Sequence, residues 1–432
     1  MSPVRTSINP LDLPEIRAIV GRHLDRPDLT RCLRVCKSWH DSFSPFVWCT
    51  VSAKPGQPYP TVDVFRRHNE LIKNLTCHSD MWQEYMDVFC PNLLSLDISV
   101  LPDQPPIPIA QYDHLRSLRI SGQRFRCSFY PVWKTSHRLD SLSRLELSVV
   151  DIEPKDVASF WTLCTQLEVL LVYSTHLPDL PDKSIKFERL QELGVSLRSG
   201  QTFVHQLDWF EQCPNLLILD WNACSEPEPG PELIEDFAAR LAAGAWPKLY
   251  DLNIPNFHAL DAQLAKVIEG MPQMKEFGAI ECQFGPLSFT ALRPQFRMLR
   301  RLDIAFSDTP TGPMIPEILA SCPQLEYLCA DDVMSEDIID SEPWVCGQTL
   351  KALYVRFCIT ARRHQQDVFK KISQLPRLES LVFFGLYREA GSKGMEFRLG
   401  AGLEHLTTLK ELKELSLFDA GDYLRASDVE HP

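Results

Sequence analysis

Along most of the chain one spacing of apolar residues recurs: an apolar residue, two others, an apolar residue, one other, an apolar residue. It reads LLSLDI at 93–98, LRSLRI at 115–120, LSRLEL at 142–147, LEVLLV at 167–172, LQELGV at 190–195, LLILDW at 216–221 and LYDLNI at 249–254. It continues as MKEFGA at 274–279, LRRLDI at 299–304, LEYLCA at 325–330, LKALYV at 350–355, LESLVF at 378–383 and LKELSL at 412–417. Most unit starts are 22 to 28 residues apart, with longer steps before Leu249 and Leu412. In the last four positions of each copy apolar and other side chains alternate, the period of a strand with one buried face. Between copies lie helix-like stretches such as 231–246 and 258–271, and the connections reach Pro91, Pro214, Pro247, Pro272, Pro323 and Pro376 just before the next strand. Proline cannot continue a helix and disfavours helix in its predecessor. One strand and one helix per unit, neither able to bury its apolar face alone, predict a curved α/β solenoid with parallel strands on the concave face and helices outside.

The pattern resembles the leucine-rich-repeat family, over roughly residues 70 to 425. In that family the position eight after the first Leu is often Asn, Cys or Thr, which bonds neighbouring backbone at the turn. Here it is Cys224, Cys282, Cys358, Thr175 and Ser307, whereas Leu101, Val150, Phe257 and Val333 depart from it and predict irregular units. Cys90, Cys164, Cys213 and Cys322 stand three residues before a first Leu. Seven of the fourteen cysteines are thereby assigned to packing rather than to metal or redox chemistry.

Residues 13–48, LPEIRAIVGRHLDRPDLTRCLRVCKSWHDSFSPFVW, break the repeat. Pro14 suits a first helical turn, and Ile16, Ile19, Val20 and Leu24 follow on one side of a helix. The run Asp25-Arg26-Pro27-Asp28 interrupts it, and Leu29, Leu33, Val35, Cys36 and Trp39 serve one or two further short helices ending near Pro45. A module this small leaves much apolar surface uncovered and needs something to pack against. Cys32 and Cys36 are four apart on a helix, but no second pair of ligands stands nearby at metal spacing.

This block resembles an F-box: Leu13, Pro14, Glu15 and Ile16 match the family's opening, Leu24, Asp25, Asp28 and Leu29 its centre, Val35, Cys36, Lys37 and Trp39 its signature, and Trp48 its close. The resemblance implies docking onto a Skp-type adaptor and, through it, a cullin-based ubiquitin ligase. The adaptor-facing residues would be Leu13, Pro14, Ile16, Ile19, Leu24, Leu29, Val35 and Trp39. The order of F-box and repeats implies a substrate receptor, with residues 1–50 as the docking module, 51–425 as the solenoid and 426–432 as a tail. The competing reading is a non-catalytic leucine-rich-repeat scaffold acting outside any ligase. Residues 47–53 read as the first strand of the stack and 61–75 as its first helix, which would join the two parts rigidly.

Composition narrows the partners. With 44% hydrophobic residues the chain can bury a large core. No run of 18 apolar residues and no signal peptide is present, so the expectation is a soluble protein of cytoplasm or nucleus, with no membrane partner. Residues 1–53 carry 7 Lys and Arg against 5 Asp and Glu, which leaves 37 against 52 for the remainder. That acidity argues against nucleic acid and permits a basic partner. No P-loop, dinucleotide, GxSxG or HExxH motif occurs, and no cofactor or metal is implied, which favours a binding protein over an enzyme.

Residues between the buried ones of each unit point to the concave face. The early units offer small or charged groups such as Ser95, Asp97, Arg119 and Glu146, whereas the late ones offer Tyr327, Tyr354, Arg356, Val382, Phe384 and Phe418. Aromatics beside an arginine suit a protein interface, and these six are expected to hold the substrate. Cross-strand stacking accounts for them equally well.

Overall fold

The computed structural model describes residues 10–54, 59–78, 84–85, 87–100, 109–122, 127–128, 139–197, 202–223, 230–307, 314–359, 361–384, 395–397 and 399–418. Leu101, Cys224, the tail 426–432 and the side chain of Phe418 lie outside them. The chain divides into two compact units, Met1–Leu190 and Gln191–Pro432.

The first unit opens with three helices, α1 (Pro14–Gly21), α2 (Arg26–Cys32) and α3 (Lys37–Trp48). Asp25 caps α2 by accepting the Asp28 N–H at 2.8 Å. Directly after α3 comes β1 (Thr50–Ala53), followed by α4 (Val62–Arg67), β2 (Asn74–Cys77), β3 (Ser95–Val100), β4 (Ser117–Gly122) and β5 (Cys127–Ser128). Then come β6 (Arg144–Ser148), β7 (Val150–Asp151), α5 (Val157–Cys164) and β8 (Val169–Thr175). The strands β1, β2, β3, β4, β6 and β8 pair in that order, all parallel, and β5 pairs with β7 separately. The expected one helix per unit is not met between β3 and β4, where the described residues show only a 3-10 turn at Ile109–Gln111.

The second unit repeats the motif with fewer departures. Its strands are β9 (Glu192–Leu197), β10 (Ile218–Trp221), β11 (Asp251–Asn253), β12 (Glu276–Gly278), β13 (Arg301–Ile304), β14 (Tyr327–Met334), β15 (Ala352–Cys358), β16 (Ser380–Phe384) and β17 (Glu414–Phe418). Each is parallel to the next. The connections carry α6 (Phe203–Phe210), α7 (Pro231–Ala242), α8 (Asp261–Glu269), α9 (Pro286–Leu292), α10 (Met314–Ser321), α11 (Ser335–Ile339) and α12 (Arg362–Ile372).

The unit's apolar triplet is the core. Leu219, Leu252, Phe277, Leu302, Leu328, Leu353 and Leu381 are buried side by side on the successive strands β10 to β16. At most strand entries one carbonyl accepts two amides of the next strand, as Gln191 does from Leu217 and Ile218, and Tyr250 from Lys275 and Glu276. The last copy departs: Leu415 is 47% exposed, because no described strand follows β17 to cover it.

Five of the turns that close the strands share a backbone signature. Val149, Ser174, Asn256, Glu281 and Phe306, each seven after a unit's first apolar residue, all adopt positive φ between 48° and 64°. The next residue turns inward. Thr175 Oγ1 donates to the Tyr173 carbonyl at 3.1 Å, Cys282 Sγ to the Ile254 carbonyl at 3.7 Å, and Ser307 Oγ accepts the Phe284 N–H at 3.0 Å. Val150, Phe257 and Val333 occupy the same place as buried apolar residues. Val149 and Asn256, just before Val150 and Phe257, keep the positive φ, so two of the departing copies retain the turn and lose only its side-chain hydrogen bond.

Burial pushes the thiols of Cys77, Cys90, Cys322 and Cys346 up to about 12 and that of Cys282 up to about 11, so these sulfurs act as small packing groups.

Candidate protein-binding surfaces

The N-terminal helices are packed in a way that period alone does not reveal. Along α1 the residues turned inward are Arg17 and Gly21, and Ile19 faces solvent at 53% exposure. Gly21 lies against the ring of Phe46, and a Cβ there would stand 2.8 Å from two ring carbons. Arg17 is 4% exposed; its Nη1 donates to Ser38 Oγ at 2.6 Å and its Nη2 to the Asp12 carbonyl at 3.2 Å. The interior on the α3 side is Phe43, 5.4 Å from Trp39 and 6.5 Å from Phe46 between ring centroids.

Of the eight residues expected to face an adaptor, Leu13 is 42%, Ile19 53% and Val35 61% exposed. Pro14 is exposed too, while Ile16, Leu24 and Trp39 are half-buried. Leu29 corrects the expectation: it is 6% exposed, because the inner face of α2 packs it into the module's own interior. Leu11, which lies before the first matched F-box position, adds to the exposed apolar group. Cys32 is half-buried and Cys36 exposed, and His40 lies beside Asp41 at 3.5 Å. The helices are tied to the first repeat by Trp48 at the end of α3, whose ring stacks on His68 just after α4 with centroids 4.2 Å apart.

In the second unit the strand registers align the residues that lie between the core leucines into rows. One row runs Glu192, Ile218, Asp251, Glu276, Arg301, Tyr327, Ala352, Ser380 and Glu414; the next runs Gly194, Asp220, Asn253, Gly278, Asp303, Cys329, Tyr354, Val382 and Ser416. The Asp251 carboxyl is pushed up to about 7, by burial first and then by Glu276 beside it, with Arg301 opposing and Asp220 and Glu192 adding. Asn253 relays between strands, donating to Asp220 Oδ1 at 2.9 Å while its Oδ1 overhangs Gly278.

Beyond the carboxylates the face becomes aromatic. Arg301 lies over the Tyr327 ring at 4.2 Å, Tyr327 donates to Asp303 Oδ2 at 3.3 Å, and Tyr327 meets Tyr354 edge-on at 5.2 Å. Phe384 lies 5.9 Å from Phe306, a 40% exposed aromatic at positive φ. Cross-strand stacking is therefore present, and Tyr327, Tyr354 and Phe384 remain half-buried rather than covered. Arg356 and Val382 were expected to be exposed and are not. Arg356 is 8% exposed beside Asp331 at 3.8 Å, and Val382 is shorter than its register partner Tyr354 and sinks between its neighbours. Phe418 is in register with Phe384.

Sequence reasoning missed Glu192, Asp220, Asp251, Glu276 and Asp303 as a group. The signal was the same positional rule, applied to the early and late copies but not to the middle ones. Phe306 carried no such signal, since a turn residue with positive φ is ordinarily Gly or Asn.

No family model matches the chain, and no curated protein matches it. Among solved structures it is similar to an internalin from Listeria monocytogenes, at 13% identity and a TM-score of 0.43, covering 83% of this chain and 89% of that one. A leucine-rich-repeat protein from Leptospira interrogans gives 14% and 0.42, covering 84% and 94%. The TLR13–ssRNA13 complex gives 12% and 0.38, with 82% of this chain against 58% of that one. Among the described residues no helix is long and apolar enough to cross a membrane. The parallel ladder with one strand per sequence copy makes the fold an α/β leucine-rich-repeat fold.

Proposed function

We propose that this chain is a non-catalytic substrate receptor: its N-terminal helices dock a Skp-type adaptor of a cullin-based ubiquitin ligase, and its repeat sheet holds a protein substrate. One observation carries the docking half. The module buries Arg17 and Gly21 while leaving Leu13, Ile19 and Val35 in solvent, an arrangement that costs free energy in isolation and is repaired when a partner covers the apolar group. Pro14 is exposed as well and Ile16, Leu24 and Trp39 are half-buried, and the match of residues 13–48 to the F-box pattern names the partner's class.

For the substrate half the support is the rigid aromatic set. Tyr327, Tyr354 and Phe384 are half-buried and held by neighbours, which lowers the entropy lost on binding. Double replacement Tyr354→Ser with Phe384→Ser should abolish substrate capture, scored by proteomics of co-purified proteins, while adaptor recovery persists. Unchanged capture would remove this surface from the proposal. Recovery of substrates without adaptor or cullin would favour the scaffold reading.

A further inference from the structure

Behind the exposed Ser38 stands a buried cation with no counter-charge, and we propose that Ser38 is a phosphate-bearing position, modified by an ATP-dependent protein kinase and held by Arg17. The guanidinium of Arg17 is 4% exposed, and both acceptors it reaches, Ser38 Oγ at 2.6 Å and the Asp12 carbonyl at 3.2 Å, are neutral. Its Nε is buried with no acceptor, and among the described residues no carboxylate pairs with it. An unpaired buried charge is costly, and an anion delivered to Ser38 removes that cost without opening the module.

A second feature points to the same place. Ser38 is the second residue of α3, a 12-residue helix whose N-cap residue, Cys36, provides no side-chain hydrogen bond. The first-turn amides and the positive end of the helix dipole therefore face a phosphate on Ser38 with no competing cap. Ser38 is exposed, as are Arg34 and Lys37 just before it, so an enzyme that favours basic residues ahead of its serine has access.

In the transfer, Ser38 Oγ attacks the γ-phosphorus of ATP. The Oγ–P bond forms as the bond from that phosphorus to the β-phosphate oxygen breaks, ADP leaves, and the hydroxyl proton passes to the kinase's base. The resulting anion makes charge-assisted hydrogen bonds to Arg17. The consequence for docking rests on the receptor reading. Val35 and Trp39 flank Ser38 in sequence, so a phosphate there must be dehydrated when an apolar partner covers them, and docking weakens.

The test installs phosphoserine at position 38 of the full chain and follows its 31P resonance with pH. Held by Arg17, the phosphate should lose its second proton below the ordinary value of about 6. The protein should also melt about 2–4 °C higher than the unmodified one. Both effects should shrink in Arg17→Lys and vanish in Arg17→Gln; should the latter fail to fold, the lysine variant decides. An ordinary titration, a lower melting temperature, or equal shifts with and without Arg17 would overturn the proposal. So would a Ser38 peptide free of phosphate, by mass spectrometry, in chain recovered from its own cells under phosphatase inhibition. Adaptor affinity should fall about tenfold on phosphorylation. If the unmodified chain does not bind the adaptor at all, the receptor reading fails, while the titration still decides the phosphate site.

Discussion

Trp48 and His68 stack almost face to face, with ring centroids 4.2 Å apart and planes 13° from parallel, and so join the last N-terminal helix to the first turn of the repeats. The His68 pKa is lowered, by burial first and then by the nearby His40 and Arg67. A depressed histidine pKa means that the unfolded chain binds the proton more readily than the folded one. The stability of this junction is therefore full above the ordinary value of about 6.5 and falls as pH drops through the lower folded value. Melting curves between pH 8 and 5 should show that loss, and His68→Phe, which keeps a ring against Trp48, should flatten it. An equal slope in the variant would remove His68 as its source.

Gly21 tests how tightly the N-terminal helices close. In an exposed helix interior Gly→Ala gains about 1 kcal/mol from backbone propensity. Here the added methyl would meet Phe46 at 2.8 Å, so Gly21→Ala should instead lose about 1–3 kcal/mol. Urea unfolding followed by tryptophan fluorescence measures the sign directly.

Asp261, at the start of α8, caps the helix of the following repeat. Its Oδ1 accepts the Gly285 and Ser288 N–H groups at 3.0 and 2.8 Å and the Ser288 hydroxyl at 2.7 Å, and its Oδ2 accepts the Leu287 N–H at 3.0 Å. Burial raises its pKa, but the bonds from Ser288, Leu287 and Gly285 outweigh that and leave it lowered. Its contribution is present above the ordinary carboxylate value and is lost as pH falls through the lowered one. Asp261→Ala should cost about 2–3 kcal/mol at pH 7, with the gap to wild type narrowing in acid.

Asp251 has the opposite sign. Its pKa, raised to about 7, makes the ionised form a burden on the folded state that grows as pH rises from the unfolded value toward neutrality. Asp251→Asn should stabilise the second unit at pH 8 by about 1 kcal/mol after allowance for solvent screening, and by nothing near pH 4. Thermal melts of the two proteins at both values check this; a constant difference would contradict it.

The repeat was legible because its constraint is local: each strand must show an apolar face to its own helix and to its neighbours, so Leu302 and Leu328 announce themselves by spacing. The orientation of the N-terminal apolar stripe was not. Spacing finds Ile16, Ile19 and Val20 on one side of a helix but cannot say whether that side meets the interior or the solvent, and here Arg17 and Gly21 turn inward instead. The late sheet positions were half legible. Alternation fails inside some motifs, as at Leu302, Asp303 and Ile304 and at Leu381, Val382 and Phe383, and also beyond them, where β14 shifts register between Ala330 and Val333 and the following strand buries Val355, Arg356 and Phe357 in succession. Positive φ at Val149, Glu281 and Phe306 was hidden because these residue types ordinarily avoid it.

Equilibrium binding of the full chain to a purified Skp-type adaptor, by calorimetry, puts the docking role to its plainest test. Tight one-to-one binding is expected, weakened at least a hundredfold by Val35→Asp or Ile19→Asp with the repeat domain's melting transition unchanged. No binding by the well-folded wild-type chain, or binding indifferent to both substitutions, would contradict that role.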